Sequence, residues 1–172
     1  MIEIRALLPD DERRRFRSGN PDMDRFFLRF AGQNQFRHHL GVTYVAVEGD
    51  HILGFATVSA AQIEATELPG KDRRRLPGYP LPALRLSRLG VSEAAKGRGI
   101  GSTLVGFALA LAHETADRIG CVGVVVDAKR EAVAFYEKLL FEPMTPHSGA
   151  LEDRPVPVPM FLGIGSIPKS LR

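Results

Sequence analysis

The run Lys96-Gly97-Arg98-Gly99-Ile100-Gly101 constrains this chain more than any other stretch. It sits between a strand-like segment, residues 84–91, and a helical pattern in which Ile100, Leu104, Val105, Ala108 and Leu111 fall on one stripe. Glycines at a strand-to-helix turn let the backbone bend tightly and come close to a ligand. Several N–H groups then converge at the positive end of the helix, flanked here by Lys96 and Arg98, an arrangement suited to phosphate or pyrophosphate. The bland alternative is a helix start that is only rich in glycine, but the strand, the cations and the helix would then coincide by chance. A P-loop needs a Lys-Ser/Thr pair that does not follow here. A dinucleotide fingerprint follows the first strand of a βαβ unit, whereas this turn follows a fourth strand.

The pattern around the turn predicts an α+β chain, an α/β sandwich on a mixed, mostly antiparallel sheet. Ile2, Ile4 and Ala6 alternate with charged residues as a first strand. Asn20-Pro21-Asp22 reads as an N-cap with a first-turn proline and acid, followed by Met23, Phe26, Phe27, Phe30 and Ala31 at helical spacing. Residues 42–47 and 52–58 are β-rich runs around Gly49-Asp50, a hairpin signal. Residues 65–83 hold four prolines and two glycines and read as a long structureless connection. Residues 121–126 form a continuous apolar strand, Ala132, Phe135, Tyr136, Leu139 and Leu140 another helical stripe, and residues 157–164 a last, edge-type strand. No composition break marks a second domain, so residues 1–172 are expected to be one domain.

Composition narrows the class. With 44% hydrophobic and 25% charged residues, the chain is neither disordered nor fibrous. No apolar run is long enough to cross a membrane, the N-terminus has charges where a signal peptide is apolar, and Cys121 is the sole cysteine, so a cytoplasmic location is expected. The net charge of +3 is uneven. Residues 1–100 carry 16 basic and 12 acidic side chains, and residues 101–172 carry 7 and 8. Two basic runs stand out, Arg13-Arg14-Arg15 with Arg17, and Lys71 with Arg73-Arg74-Arg75; each is either a solvated face or a landing surface for a polyanion or an acidic partner. The histidines are not at metal-ligand spacing with Cys121, so no metal is expected.

The turn resembles the Gln/Arg-x-x-Gly-x-Gly/Ala pyrophosphate loop of the GNAT-superfamily acyl-CoA N-acyltransferases, with Lys96 in place of Gln or Arg. The resemblance extends over Leu86-Ser87-Arg88-Leu89-Gly90-Val91 and over Ala134 to Phe141, where the family has Phe-Tyr-x-x-x-Gly-Phe and this chain has Leu140 at the glycine position. Ser18-Gly19-Asn20, Thr43-Tyr44-Val45-Ala46, Gly54 and Val126-Asp127-Ala128 are similar to the TacT-like acetyltransferase toxins of bacterial toxin–antitoxin pairs. The resemblance implies the GNAT fold, with splayed central strands flanked by helices. It implies acetyl-CoA as co-substrate, bound by Leu89, Gly90, Val91, Lys96, Gly97, Arg98, Gly99, Ile100, Gly101, Ser102 and Phe135. It also implies that Tyr136 is the general acid for the departing thiolate; packing on the helix stripe is the plainer role for that side chain.

Acetyl transfer to an amine needs a neutral nucleophile, a stabilised carbonyl oxygen and a proton for the thiolate. The fourth strand carries no carboxylate to act as a base; its polar side chains are Arg85, Ser87 and Arg88. An amine of low pKa, such as the α-amine of an aminoacyl ester, attacks largely without one. This fits aminoacyl-tRNA, the acceptor of the toxin branch, with Arg74, Arg75, Arg85 and Arg88 as candidate substrate contacts. A ribbon-helix-helix antitoxin and a homodimer are the partners the resemblance implies. An N-acetyltransferase for a small-molecule or protein amine, and a non-catalytic acetyl-CoA-binding module, are the two rivals.

Overall fold

A computed structural model describes residues 1–145 and 157–172. In chain order the elements are β1 (Glu3–Ala6), α1 (Pro21–Arg25), β2 (Val42–Glu48), β3 (His51–Ile63), α2 (Gly70–Arg75), β4 (Leu81–Val91), α3 (Ile100–Arg118), β5 (Gly123–Ala128), α4 (Val133–Lys138), β6 (Glu142–Pro143) and β7 (Val158–Gly163). The strands form one seven-stranded mixed sheet in the order β1-β2-β3-β4-β5-β7-β6. The chain divides into two compact units, Met1–Ser59 with Leu86–Ala108, and Ala60–Arg85 with Leu109–Arg172.

In the first unit β1 pairs with β2 and β2 with β3, both antiparallel. Thr43 and Thr57 face each other across the hairpin, and their buried hydroxyls hydrogen-bond at 2.7 Å. The same face packs an aromatic cluster. Phe27 stacks on Phe55 at 4.2 Å between ring centres, and Phe16 meets Phe27 edge-on at 4.9 Å. Asn20 caps α1 as expected, its side chain accepting from the N–H groups of Asp22 and Met23. Beyond Arg25 the helix widens into π-helical turns at Phe26–Phe30 and Gln33–Arg37. A wider turn takes more residues to come round. Phe26 and Phe27 are therefore buried, while Phe30, expected on the same stripe, is exposed.

The opposite face of this half-sheet takes the start of α3. Tyr44 packs on Phe107 at 4.7 Å, and Gly54 lies under the helix. A methyl group at Gly54 would stand 2.9 Å from both the Gly90 carbonyl and Ile100 Cγ2, and 3.1 Å from Leu104 Cδ1. Glycine permits that close approach.

The second unit is built on β5 and β7, paired antiparallel from Gly123↔Gly163 to Ala128↔Val158, with β6 on the outer side of β7. Ile63, Leu68, Leu81, Val125, Met144 and Phe161 belong to its core. β7 is thus not an edge strand. The edge is β6, two residues ending in Pro143, too short for alternation to reveal and suited by its proline to a boundary. The 65–83 segment is not structureless either. It contains a 3₁₀ turn at Ala65–Glu67, the helix α2 and the start of β4. Three of its prolines flank these elements, with Pro69 at the start of α2 and Pro77 and Pro80 after it, while Pro82 is the second residue of β4. β5 begins at Gly123, so Cys121 precedes it; Cys121 is buried and its thiol donates to the Gly123 carbonyl at 3.2 Å.

Candidate active site

Two parts of the chain hold the residues expected to carry the chemistry. In the first unit, β4 ends at Val91 and the chain is tied back by the Ser92 N–H to the Leu53 carbonyl, 2.8 Å. After a 3₁₀ turn at Glu93–Ala95, Gly97 and Gly99 take left-handed φ values of +80° and +77°. No atom lies within 4 Å of where a Cβ would stand at either, so the glycines are required by backbone conformation and leave open space above them. Thr103 donates both its N–H and its hydroxyl to the Gly99 carbonyl, at 3.0 and 2.9 Å. That carbonyl faces into the helix, and the amides at the first turn of α3, which have no intrahelical acceptor, form the concavity. Ile100 anchors the turn at 1% exposure, Ser102 is exposed on it, Leu89 and Val91 are half-buried on β4, and Gly90 is buried. Gly97 and Gly99 put no side chain over this concavity, which suits a pyrophosphate.

The flanking cations differ from expectation. Lys96 is exposed, but Arg98 is paired with Glu48 at the end of β2, at 3.0 and 3.4 Å. The hydrogen bond from Arg98 holds the Glu48 carboxyl below its ordinary range. Nothing local in the sequence links these two residues.

In the second unit Tyr136 lies on α4 at 5% exposure, with Phe135 at 5.0 Å and Phe141 at 5.5 Å, both edge-on. Burial pushes its hydroxyl up to about 12, so the proton stays in place at neutral pH. The helix closes through the Phe141 N–H to the Tyr136 carbonyl, and Leu140 takes a φ of +73°. This is where the resembling family has glycine; a leucine there is strained by about 1–2 kcal/mol. Phe135 is half-buried beside Tyr136.

The candidate acceptor residues lie on two elements, α2 and β4. Strand alternation places Arg85 and Ser87 on one face of β4 and Arg88 on the other. Arg88 lies over the Phe26 ring at 4.8 Å, and the Ser87 hydroxyl donates to the Thr57 carbonyl at 3.2 Å. Arg85 pairs with Asp127 of β5 at 2.7 Å. β4 itself carries no carboxylate, as expected, yet Asp127 brings one beside it, which the sequence reading did not use. On α2, Arg75 pairs with the buried Asp72 at 3.2 Å, while Arg74 is exposed with no partner among the described residues. Among the described residues no three His, Cys, Asp or Glu side chains converge as a metal site, and no helix is long and apolar enough to cross a membrane.

Known proteins are similar to this chain in sequence and fold. Residues 39–143 match the family described as the acetyltransferase (GNAT) domain. The chain is 33% identical over 141 residues to the tRNA-acetylating toxin of Mycobacterium tuberculosis (strain ATCC 25618 / H37Rv), covering 80% of this chain and 82% of that protein. Its fold superposes with a TM-score of 0.84 on AtaT complexed with acetyl-methionyl-tRNAfMet, at 23% identity over 97% of both chains. It superposes at 0.75 on a mutant AtaT toxin bound to the C-terminus of the antitoxin AtaR and acetyl-CoA, at 22% identity over 97% of this chain and 96% of that one. The left-handed glycine turn at the start of α3 and the match over residues 39–143 agree, and the chain belongs to the GNAT acetyltransferase family.

Proposed function

We propose that this chain is an acetyl-CoA-dependent N-acetyltransferase acting on the α-amine of an aminoacyl-tRNA, and the toxin of a toxin–antitoxin pair. The observation that carries this reading is the 33% identity to a tRNA-acetylating toxin over four-fifths of the chain. Acetyl-CoA supplies the acetyl group as an activated thioester. The amides from Gly97 to Ser102, with Lys96, hold its pyrophosphate, and Leu89, Gly90, Val91 and Phe135 bind the rest of the coenzyme. Tyr136 donates its proton to the leaving thiolate. A thiol's ordinary pKa lies near 8.5, well below that of the buried hydroxyl, so this transfer is uphill on its own and is completed when the tyrosinate takes up the proton that the attacking amine releases. No base is needed for an acceptor amine that is already largely neutral near pH 8. Arg74 and Arg75, with Arg85 and Arg88, are the substrate contacts of this reading.

The same reading takes residues 1–172 as one acetyltransferase domain, dimeric and cytoplasmic, restrained by a ribbon-helix-helix antitoxin. Its support is the likeness to toxins of this class, one of them bound to the C-terminus of its antitoxin.

The test is a mass spectrum of charged tRNA after incubation with the protein and acetyl-CoA, beside free amino acids, polyamines and peptides. A gain of one acetyl group on the aminoacyl ester is expected; acetylation of the small amines alone would overturn the reading. Tyr136→Phe should lower kcat by about 100-fold or more while acetyl-CoA still binds. In the wild type the rate should rise with pH as the acceptor amine loses its proton, with no decline from Tyr136 ionisation until pH approaches 12. Unchanged turnover in Tyr136→Phe would remove the acid role.

A further inference from the structure

The first of the two arginine runs has no part in the chemistry above, yet the first unit folds it into a cleft of about 500 Å³. Arg13, Arg14, Arg17, Arg25 and Arg29 line it. The buried ring of Phe16, wedged against Phe27 and Phe55, pins the turn that carries the first three. Arg13 donates to the Phe27 carbonyl at 3.1 Å, and Arg17 to the Arg14 and Phe16 carbonyls at 2.7 and 2.8 Å. Arg25 and Arg29 come from the adjoining helical segment, and both line the cleft.

The charge of this cleft is not balanced from within. Its carboxylate, Asp24, accepts from the Ser18 N–H and hydroxyl at 2.9 and 2.7 Å. The exposed pair of Arg25 with Asp22 is the single ion pair made by the five arginines among the described residues. Holding five guanidinium groups together with fewer counter-charges than cations is unfavourable unless an anion completes the set.

We propose that this cleft binds the phosphate backbone of RNA, an inference that rests on the reading of the chain as a tRNA acetyltransferase. All five cations are arginine, whose planar fork engages phosphate oxygens in pairs. An acidic peptide is the poorer fit. Its backbone would seek a free strand edge, and the cleft is lined by a turn and a helical segment, with Leu28 as its exposed apolar member. Charge is the main attraction on offer, and a nucleic-acid backbone presents charge most densely.

The test is the double variant Arg14→Glu/Arg29→Glu, with Arg14→Gln/Arg29→Gln as a milder pair. Binding of uncharged tRNA is followed by fluorescence anisotropy between about 50 and 200 mM salt. Acetyl-CoA affinity and thermal midpoint are measured on the same samples to establish that the fold is intact. We expect affinity for tRNA to fall about tenfold or more in the Glu pair. The slope of log K against log salt should shrink by about 2 in both pairs. An unchanged slope in a folded variant overturns the proposal. So does loss of binding to a polyglutamate peptide with tRNA binding intact, which would assign the cleft to an acidic protein. Failure of the wild type to acetylate any charged tRNA is a different result: it overturns the proposed function, whereas the slope measurement judges the cleft.

Discussion

The two arginine runs look alike in sequence and differ in what surrounds them. In the second, Lys71 pairs with Glu142 at 3.2 Å, Arg75 with Asp72 at 3.2 Å, and Arg73 donates to the Thr66 and Leu68 carbonyls. Only Arg74 is left without such a contact among the described residues. In the first run the contacts go to carbonyl oxygens, those of Arg14 and Phe16 in the run and of Phe27 in the adjoining helical segment, which orient guanidinium groups without neutralising them. Most of one run holds a helix in place; the other is held in place and keeps its charge. Local density of arginine therefore says little about availability, because the carboxylates that decide it lie outside the run or, like Asp72, inside the core.

Changing Asp72 probes this contrast most strongly. It is 2% exposed, and removing it leaves Arg75 unpaired and a gap against β7, where Gly163 approaches its carboxylate. Asp72→Ala should cost about 2 kcal/mol in chemical denaturation; a loss below about 0.5 kcal/mol would mean that the second run is as free as the first. Reversing single charges on α2 comes next. Arg74→Glu should weaken tRNA binding several-fold and reduce the salt slope by about 1, whereas Arg75→Glu should weaken binding less and add a loss of stability by repelling Asp72. Equal effects on tRNA binding from both would restore the sequence expectation that the two arginines act alike. The smallest effect belongs to the first run: Arg14→Ala should change stability by no more than about 0.5 kcal/mol, in the stabilising direction at low salt, since it relieves repulsion that salt screens. A marked destabilisation would make Arg14 a structural residue.

What the sequence made legible was local. The Asn20 cap, the Gly49-Asp50 hairpin and the Gly97–Gly99 turn depend on neighbours a few residues away, and each stands where its pattern put it. The π-helical widening after Arg25 escaped because the spacing of Phe26, Phe27 and Phe30 suits an α-helix equally well. The interior position of β7 escaped because its outer partner is two residues long. Around the candidate site, the turn and the helix that carries Tyr136 were readable, but the partners of the charged residues were not. Arg98 meets Glu48 across 50 positions and Arg85 meets Asp127 across 42, and no spacing rule reaches so far. Leu140 is an intermediate case. The family pattern marks a glycine there, and the φ of +73° gives the reason.

The missing side chain at Gly54 has a mechanical consequence. With only a hydrogen atom between the β3 backbone and Ile100, the first turn of α3 rests directly on the hairpin, like a beam on its bearing. Even an alanine would act as a shim. Lifting the beam by a few tenths of an ångström would tilt the ring of amides at its end, and the aim of that ring is set by a residue that never touches what it would hold.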